Sequence, residues 1–346
     1  MTLPLLAPLP QLTRQVIHRG YDRRSCWVHA RCAFIPGKGD APETAIVTLQ
    51  KCVMGTSEAV WDLFDGIAIQ RSDDGGRTWS LPEMQPAFRR WPEPGGVEVA
   101  VSDFTPQWHA ATGKLLGLGH TCRYRNGALI PAAGRTRETA WSVFDPARNQ
   151  WGPVQLLEMH DRQRFFSAGA GSIQWVERPD GELLVPIYFR EAGEQLHPAS
   201  RVLVMRCRFD GEQLTIQELG GELSVDAYRG LGEPSLTTWG GRYWLTLRNG
   251  ERAYLADSED GLHYCEPEPW RFDDGEELGS IDTQQHWARV GHRLFLVYTS
   301  RRDDNAHVVR YRAPLFMAEF DPERRVLIRE SEQVAVPNRG GQLGNF

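Results

Sequence analysis

Five aspartates, each followed by turn-forming residues, recur along the 346-residue chain and limit its fold more than any other feature. They are Asp74 in RSDDGG, Asp145 in FDPARNQWG, Asp210 in FDGEQLT, Asp260 in SEDGLHY and Asp321 in FDPERRVL. The gaps between them are 71, 65, 50 and 61 residues, about 62 on average. The fullest copy, Ser72-x-Asp74-x-Gly76-x-Thr78-Trp79, reads as a closed turn. An aspartate there accepts backbone N–H bonds across the bend, glycine supplies a positive φ, and Thr and Trp open the next strand. Between the turns lie short apolar runs such as TAIVTLQ, KLLGLGH, ELLVPIYF, RYWLTLR and RLFLVYT, while helical periodicity is scarce. Repeats of this length suit the four-stranded blades of a β-propeller. Five such units run from about residue 24 to 337. The two chain ends are left over and are expected to build a sixth blade that closes the ring; a five-bladed or incomplete ring is the other option. The expected fold is all-β, a single six-bladed propeller domain over residues 1–346.

Composition narrows the partners. A net charge of −6 and a pI near 6.0 give no reason to expect nucleic acid or an anionic membrane surface. Only Lys38, Lys51 and Lys114 are lysines, so the basic residues are nearly all arginine, the side chain that grips carboxylates bidentately. The six cysteines show neither C-x-x-C pairs nor zinc spacing and read as buried thiols, so no metal or cofactor is expected. The opening MTLPLLAPLPQLTRQ makes a poor signal peptide and no run is long enough to span a membrane, which points to a cytoplasmic setting.

In a propeller the first strand of each unit lines the central channel, so polar residues there carry the information. CWVHARCAFIPG places His29 and Arg31 on such a strand. EAVWDLFDGIAIQ offers Asp62 and Asp65, with Glu58 read as a loop charge. LGEPSLTTWGGRYWLTLRNG offers Glu233 and Arg248, and SIDTQQHWARVGHRLFLVYTSRR offers Asp282, Gln285 and His286. NAHVVRYRAPLFMAEFD offers His307, Arg310, Tyr311 and Arg312, the two arginines alternating on one strand face.

The turn around Asp74 resembles the Asp-box of the sialidase-like (BNR repeat) β-propellers. Glu233-Pro234 followed fifteen residues later by Arg248 is similar to that family's Glu-Pro and triad arginine. Arg31 and Arg312 stand where the other two triad arginines would be. The resemblance implies that Arg31, Arg248 and Arg312 hold a substrate carboxylate, that Asp65 or Asp62 is the acid/base, and that Glu233 is a base. Asp65 lies seven residues before Ser72, an odd count that turns a strand side chain to the other face, so Asp62 is an equal candidate. The family's nucleophilic tyrosine has no counterpart in its usual place, because no tyrosine follows Tyr311. Tyr311, Tyr298 or Tyr228 would have to stand in.

The first expected function is an exo-acting glycosidase for an acidic sugar. The second is a uronate lyase, with arginine and Gln285 neutralising the carboxylate while His286, His29 or a tyrosine takes the proton. The third is a binding propeller without catalysis, whose arginines would not converge. All three share a carbohydrate partner.

Overall fold

The computed structural model of the protein describes residues 8–53, 62–193 and 199–340. Within them the chain forms only β-strands and short 3-10 turns, arranged as four sheets of four or five strands and a larger one of seven. The first sheet runs Ser25–Ile35, Thr44–Val53, Phe64–Ser72 and Glu83–Met84 in sequence order. The second is built around Val97–His109, Lys114–Arg125 and Thr139–Asp145. Ser167–Gly169, Leu183–Arg190, Arg201–Phe209 and Leu214–Leu219 make the third. Gly232–Trp239, Arg242–Arg248 and Tyr254–Ser258 lead the fourth, and His286–Val290, Arg293–Tyr298 and Leu315–Asp321 the fifth.

Four cores join successive sheets face to face. Ile46 and Ile67 of the first meet Val101 and Leu115 of the second. Leu118 and Trp141 meet Leu183 and Val185 of the third. Leu184 and Val202 meet Leu236 and Leu245 of the fourth, and Trp244 meets Trp287 and Phe320 of the fifth. Each sheet is thus covered on a face by its neighbour, which removes apolar area from water at about 25 cal/mol per Å². The first strands converge at the centre: Arg31 of the first sheet donates to Ser172 Oγ (3.2 Å) beside the third and to Gln284 Oε1 (2.6 Å) at the entry to the fifth.

The expected sixth blade is not seen among the described residues. The only pairing of residues 8–24 is a single bridge between Tyr21 and Cys26, and residues 1–7 and 341–346 lie outside the description. The N-terminal segment instead straps the seam between the fifth and first sheets. Arg14 Nε donates to Ala335 O (2.7 Å), and Arg293 Nη1 to Pro8 O (2.9 Å), anchoring one end on the fifth sheet. Gln15 donates to Arg77 O (3.2 Å), and Ile17 packs with Trp27 and Trp79 on the first. A segment with Pro8 and Pro10 and little β-branching lacks donors and packing for a ladder, which explains a strap in place of strands.

All five aspartates cap turns. Asp74 Oδ1 accepts from Arg77 N and Thr78 N (both 2.9 Å), its Oδ2 accepts from Thr78 Oγ1 (2.7 Å), and Ser72 Oγ accepts from Gly76 N (2.8 Å). Asp260 repeats the pattern, with the ring of His263 in place of the threonine hydroxyl. Asp145, Asp210 and Asp321 each accept from the backbone N–H groups two and three residues on.

Two local expectations need correction. Arg310 and Arg312 do not alternate along a strand: Val309–Tyr311 is a 3-10 turn, because Asn305 Nδ2 ties Ser300 O (2.9 Å) to Ala313 O (3.1 Å) and folds the segment back. The cysteines are not uniformly buried either, since Cys32 and Cys265 are exposed. Among the described residues no helix is long and apolar enough to cross a membrane.

Candidate functional site

One backbone feature builds the site. The first strands of the first, second and fourth sheets break register at the same level, between Val28 and Arg31, between Ser102 and Thr105, and between Gly232 and Ser235. At those bulges sit His29, Asp103 and Glu233, with φ of 50°, 55° and 39°. Ser172 (φ 53°) interrupts the first strand of the third sheet, and Asp282 (φ 48°) precedes that of the fifth. Five non-glycine residues in the left-handed region, one per sheet, are costly, and such conformations cluster where a side chain must be re-aimed for function. Four of the five are acidic or basic.

His29, Asp103 and Glu233 line a polar cavity of about 380 Å³, with Ser172 bonded to Asp103 and Asp282 paired with Arg248 behind them. On one side Asp103 forms the hub. Its Oδ1 accepts from Ser172 Oγ (2.7 Å) and faces His29 Nδ1 (3.2 Å), and its Oδ2 faces His120 Nε2 (3.3 Å). Burial would raise the Asp103 carboxyl, but His29, His120, Ser172 and Arg31 outweigh it and hold it well below the usual range. His120 is pushed well below 6.5, first by burial and then by Arg137. His120 Nε2 faces Asp103, and Tyr188 Oη lies 3.2 Å from the other ring nitrogen, Nδ1. Asp103, His120 and Tyr188 thus stand in a line that ends at the cavity, the order a proton relay requires. Burial raises the Tyr188 phenol, against the opposing pull of Arg137 stacked 5.0 Å over its ring. Gly171 makes the relay possible: a Cβ there would stand 1.9 Å from His120 Nδ1.

The opposite side is a cationic cluster around two carboxylates. Asp282 accepts from Arg229 (2.8 Å) and Arg248 Nη2 (2.8 Å) and faces Arg310 Nε (3.2 Å), while Arg248 Nη1 also grips Glu233. Burial opposes the ionised form of Asp282, but Arg248, Arg229 and Arg310 lower its pKa. Arg312 is pushed down to about 10, first by burial and then by Arg248 and Arg310. No hydrogen bond or ion pair with a described residue reaches the guanidinium groups of Arg135, Arg137 or Arg312, and the Nε of each is buried without a partner. Among the described residues no group of three His, Cys, Asp or Glu is placed to hold a metal ion.

Of the sequence candidates, Tyr298 is buried and donates to Glu332 (2.7 Å), whereas His29, Asp62, Tyr228, Glu233, Arg248, Arg310 and Arg312 line the cavity. Asp62 is held there by Tyr124 Oη, which donates to its carbonyl (2.8 Å). Asp65 is not part of the lining and pairs with Lys51 (3.2 Å). Arg31 is not part of the lining and is bound by Ser172 and Gln284, although, like Arg248 and Arg312, it lies within electrostatic reach of Glu233. His286 is a bonded core histidine between Ser235 Oγ (2.9 Å) and Gln284 Oε1 (3.3 Å). Gln285 is locked to Ser280 and Thr283, and Tyr311 is not part of the lining. Glu58 lies outside the described residues. Sequence reasoning missed Asp103, His120, Arg135, Arg137, Tyr188 and Arg190. Arg135-x-Arg137 in GRTRET was the available signal, an alternation that puts two cations on one side of an extended segment.

No family model matches the chain, and no curated protein does either. Solved structures do. A protein of unknown function from Dyadobacter fermentans aligns over 94% of this chain and 86% of its own, at 15% identity and a TM-score of 0.63. A Hadza microbial sialidase aligns over 90% of this chain (13% identity, TM-score 0.61), and a leech intramolecular trans-sialidase over 94% (13%, 0.60). The fold is sialidase-like. A Trypanosoma rangeli sialidase bound to the inhibitor DANA shares it over 85% of this chain at 15% identity and a TM-score of 0.57. The chain spans 59%, 62% and 46% of the microbial, leech and trypanosomal chains.

Proposed function

We propose that the protein is a glycoside hydrolase acting on a carboxylate-bearing sugar, with Tyr188 as nucleophile. The observation that carries this reading is the Asp103–His120–Tyr188 relay opening on a cavity whose nearest arginines lack anions. The sugar carboxylate binds Arg312 at the edge of the Arg248–Arg310 cluster, and Glu233 orients Arg248. Tyr188 oxygen attacks the anomeric carbon as its proton passes to His120 Nδ1. Asp62 gives a proton to the departing glycosidic oxygen, and the C–O bond breaks. Water then attacks the tyrosyl-linked carbon, yields a proton to Asp62, and Tyr188 leaves with its proton returned from His120. Tyrosine nucleophiles are an established exception among retaining glycosidases. The structural relatives lend support, since they include sialidases, one of them in complex with 2,3-difluorosialic acid as a covalent intermediate.

The test pairs turnover of fluorogenic acidic glycosides with mass spectrometry after incubation with a difluorinated acidic sugar. The reading expects an adduct on Tyr188 and a loss of at least about a hundred-fold in kcat for His120→Asn. Unchanged turnover in Tyr188→Phe sinks it. A lyase is the second reading, favoured by the place of Arg137 beside the Tyr188–His120 base pair, which suits abstraction of a proton next to a carboxylate. An unsaturated, ultraviolet-absorbing product without water uptake would select it.

A further inference from the structure

We infer that the cavity takes a saccharide carrying two anionic groups, one at each of two separate arginine sites. This rests on the acidic-sugar reading above and extends it to the substrate class. The first site is Arg312, from the fifth sheet, set against Arg248 and Arg310. The second is Arg135 and Arg137, in the connection before Thr139–Asp145 of the second sheet, with Arg137 stacked over Tyr188. Arg312 groups with Arg248 and Arg310, whereas Arg135 groups with Arg137.

Charge bookkeeping shows that one carboxylate is too little. On the first side, Asp282 and Glu233 already engage Arg229, Arg248 and Arg310, which leaves a cationic excess to which Arg312 adds. On the second side, Asp103, Glu233 and Asp62 are within electrostatic reach, but none forms an ion pair with Arg135 or Arg137: Asp103 faces two histidines and accepts from Ser172, and Glu233 is held by Arg248. Arg135 and Arg137 accept no carboxylate from any described residue, and their buried Nε atoms lack acceptors. Burying an unpaired guanidinium is costly, so two adjacent ones imply an anion that arrives with the ligand. Planar N–H forks suit a sulfate ester or a second carboxylate equally, because both offer paired oxygens. A uronic acid bearing a sulfate ester, or a sugar with two carboxylates, meets both sites at once.

Calorimetry with methyl glucuronide, a neutral methyl glucoside carrying one sulfate ester, and an O-sulfated methyl glucuronide tests this. The doubly charged probe is expected to bind about thirty-fold tighter than either singly charged one, the worth of one charged hydrogen-bonded group. Arg135→Gln/Arg137→Gln should erase that advantage, bringing the doubly charged probe to within about threefold of methyl glucuronide in the same variant. Circular dichroism on the variant checks that it has folded, and Arg135→Lys/Arg137→Lys should restore part of the gap if it has not. Equal affinity for all three probes overturns the inference, as does equal loss for all three in the folded double variant. Turnover of a singly charged glycoside with no gain from a second anion overturns this inference alone. Tight binding of the doubly charged probe by a protein that cleaves no acidic glycoside overturns the catalytic reading alone.

Discussion

At the residue scale, the site turns on a histidine kept neutral by its surroundings. His120 is depressed first by burial and then by Arg137, so its Nδ1 is free to accept over the neutral range. A base with a lowered pKa gives kcat/KM an acid limb at that pKa. The acid limb is therefore expected below pH 6.5. Arg137→Gln removes the largest of the three cationic influences that, with burial, depress His120, and should move the limb upward. A limb above 6.5 in the parent protein, or no upward movement in the variant, removes His120 from the base role. Gly171→Ala gives a second check. Its methyl would enter the space of the His120 ring, so turnover should fall by about tenfold or more with the fold intact by circular dichroism. These residues were hidden in the sequence for a physical reason. His120 and Tyr188 sit mid-strand in apolar runs, where a lone polar residue looks like a satisfied core group, and only the bulge at Asp103 joins them.

At the element scale, the turns were legible and the ring closure was not. An Asp-centred turn is local: the carboxylate, the glycine and the receiving N–H groups lie within six residues, so Asp74 and Asp260 can be read from their own neighbourhoods. Closure depends on which distant segment covers the seam, and spacing says nothing about that. The bulges were half legible. Glu233 was singled out through its proline, but Asp103 in the unbroken run VEVAVSDFTPQWH gave no sign of the register shift. The strap is the element most open to a direct check. Removal of residues 1–19 takes away the Arg14 and Gln15 bonds and the packing of Ile17. The expected cost is about 2–4 kcal/mol from lost hydrogen bonds and apolar burial, read as an earlier urea midpoint. An unchanged midpoint would mean that the sheets hold the seam without it. By contrast Trp270→Ala, inside the core between the fourth and fifth sheets, should cost about 3–5 kcal/mol with no change at the cavity.

At the scale of the whole molecule, the same burial that prepares the site ties stability to pH. His120 and His286 are both held well below 6.5, chiefly by burial, so the unfolded chain takes up protons below that pH when the folded one does not. Unfolding is then favoured by acid: stability is full above pH 6.5 and falls as the pH drops through it, by up to about 1.4 kcal/mol per pH unit per histidine. His263 works in the opposite sense, since its raised pKa beside Asp260 gives stability present below 6.5 and lost above, but it is exposed and screened. Asp103 and Asp282 are lowered carboxylates whose contribution is present above 3.8 and is lost only under stronger acid. The window between about pH 4 and pH 6.5 therefore belongs to the two buried histidines. Urea unfolding at steps across that window should show a falling midpoint with a constant slope in urea. His286→Gln, which can keep a bond to Ser235 without taking a charge, should roughly halve the fall while leaving the acid limb of catalysis in place. A fall of the same size in that variant would assign the pH sensitivity elsewhere, and a shifted acid limb would mean that His286 and His120 act on one site after all.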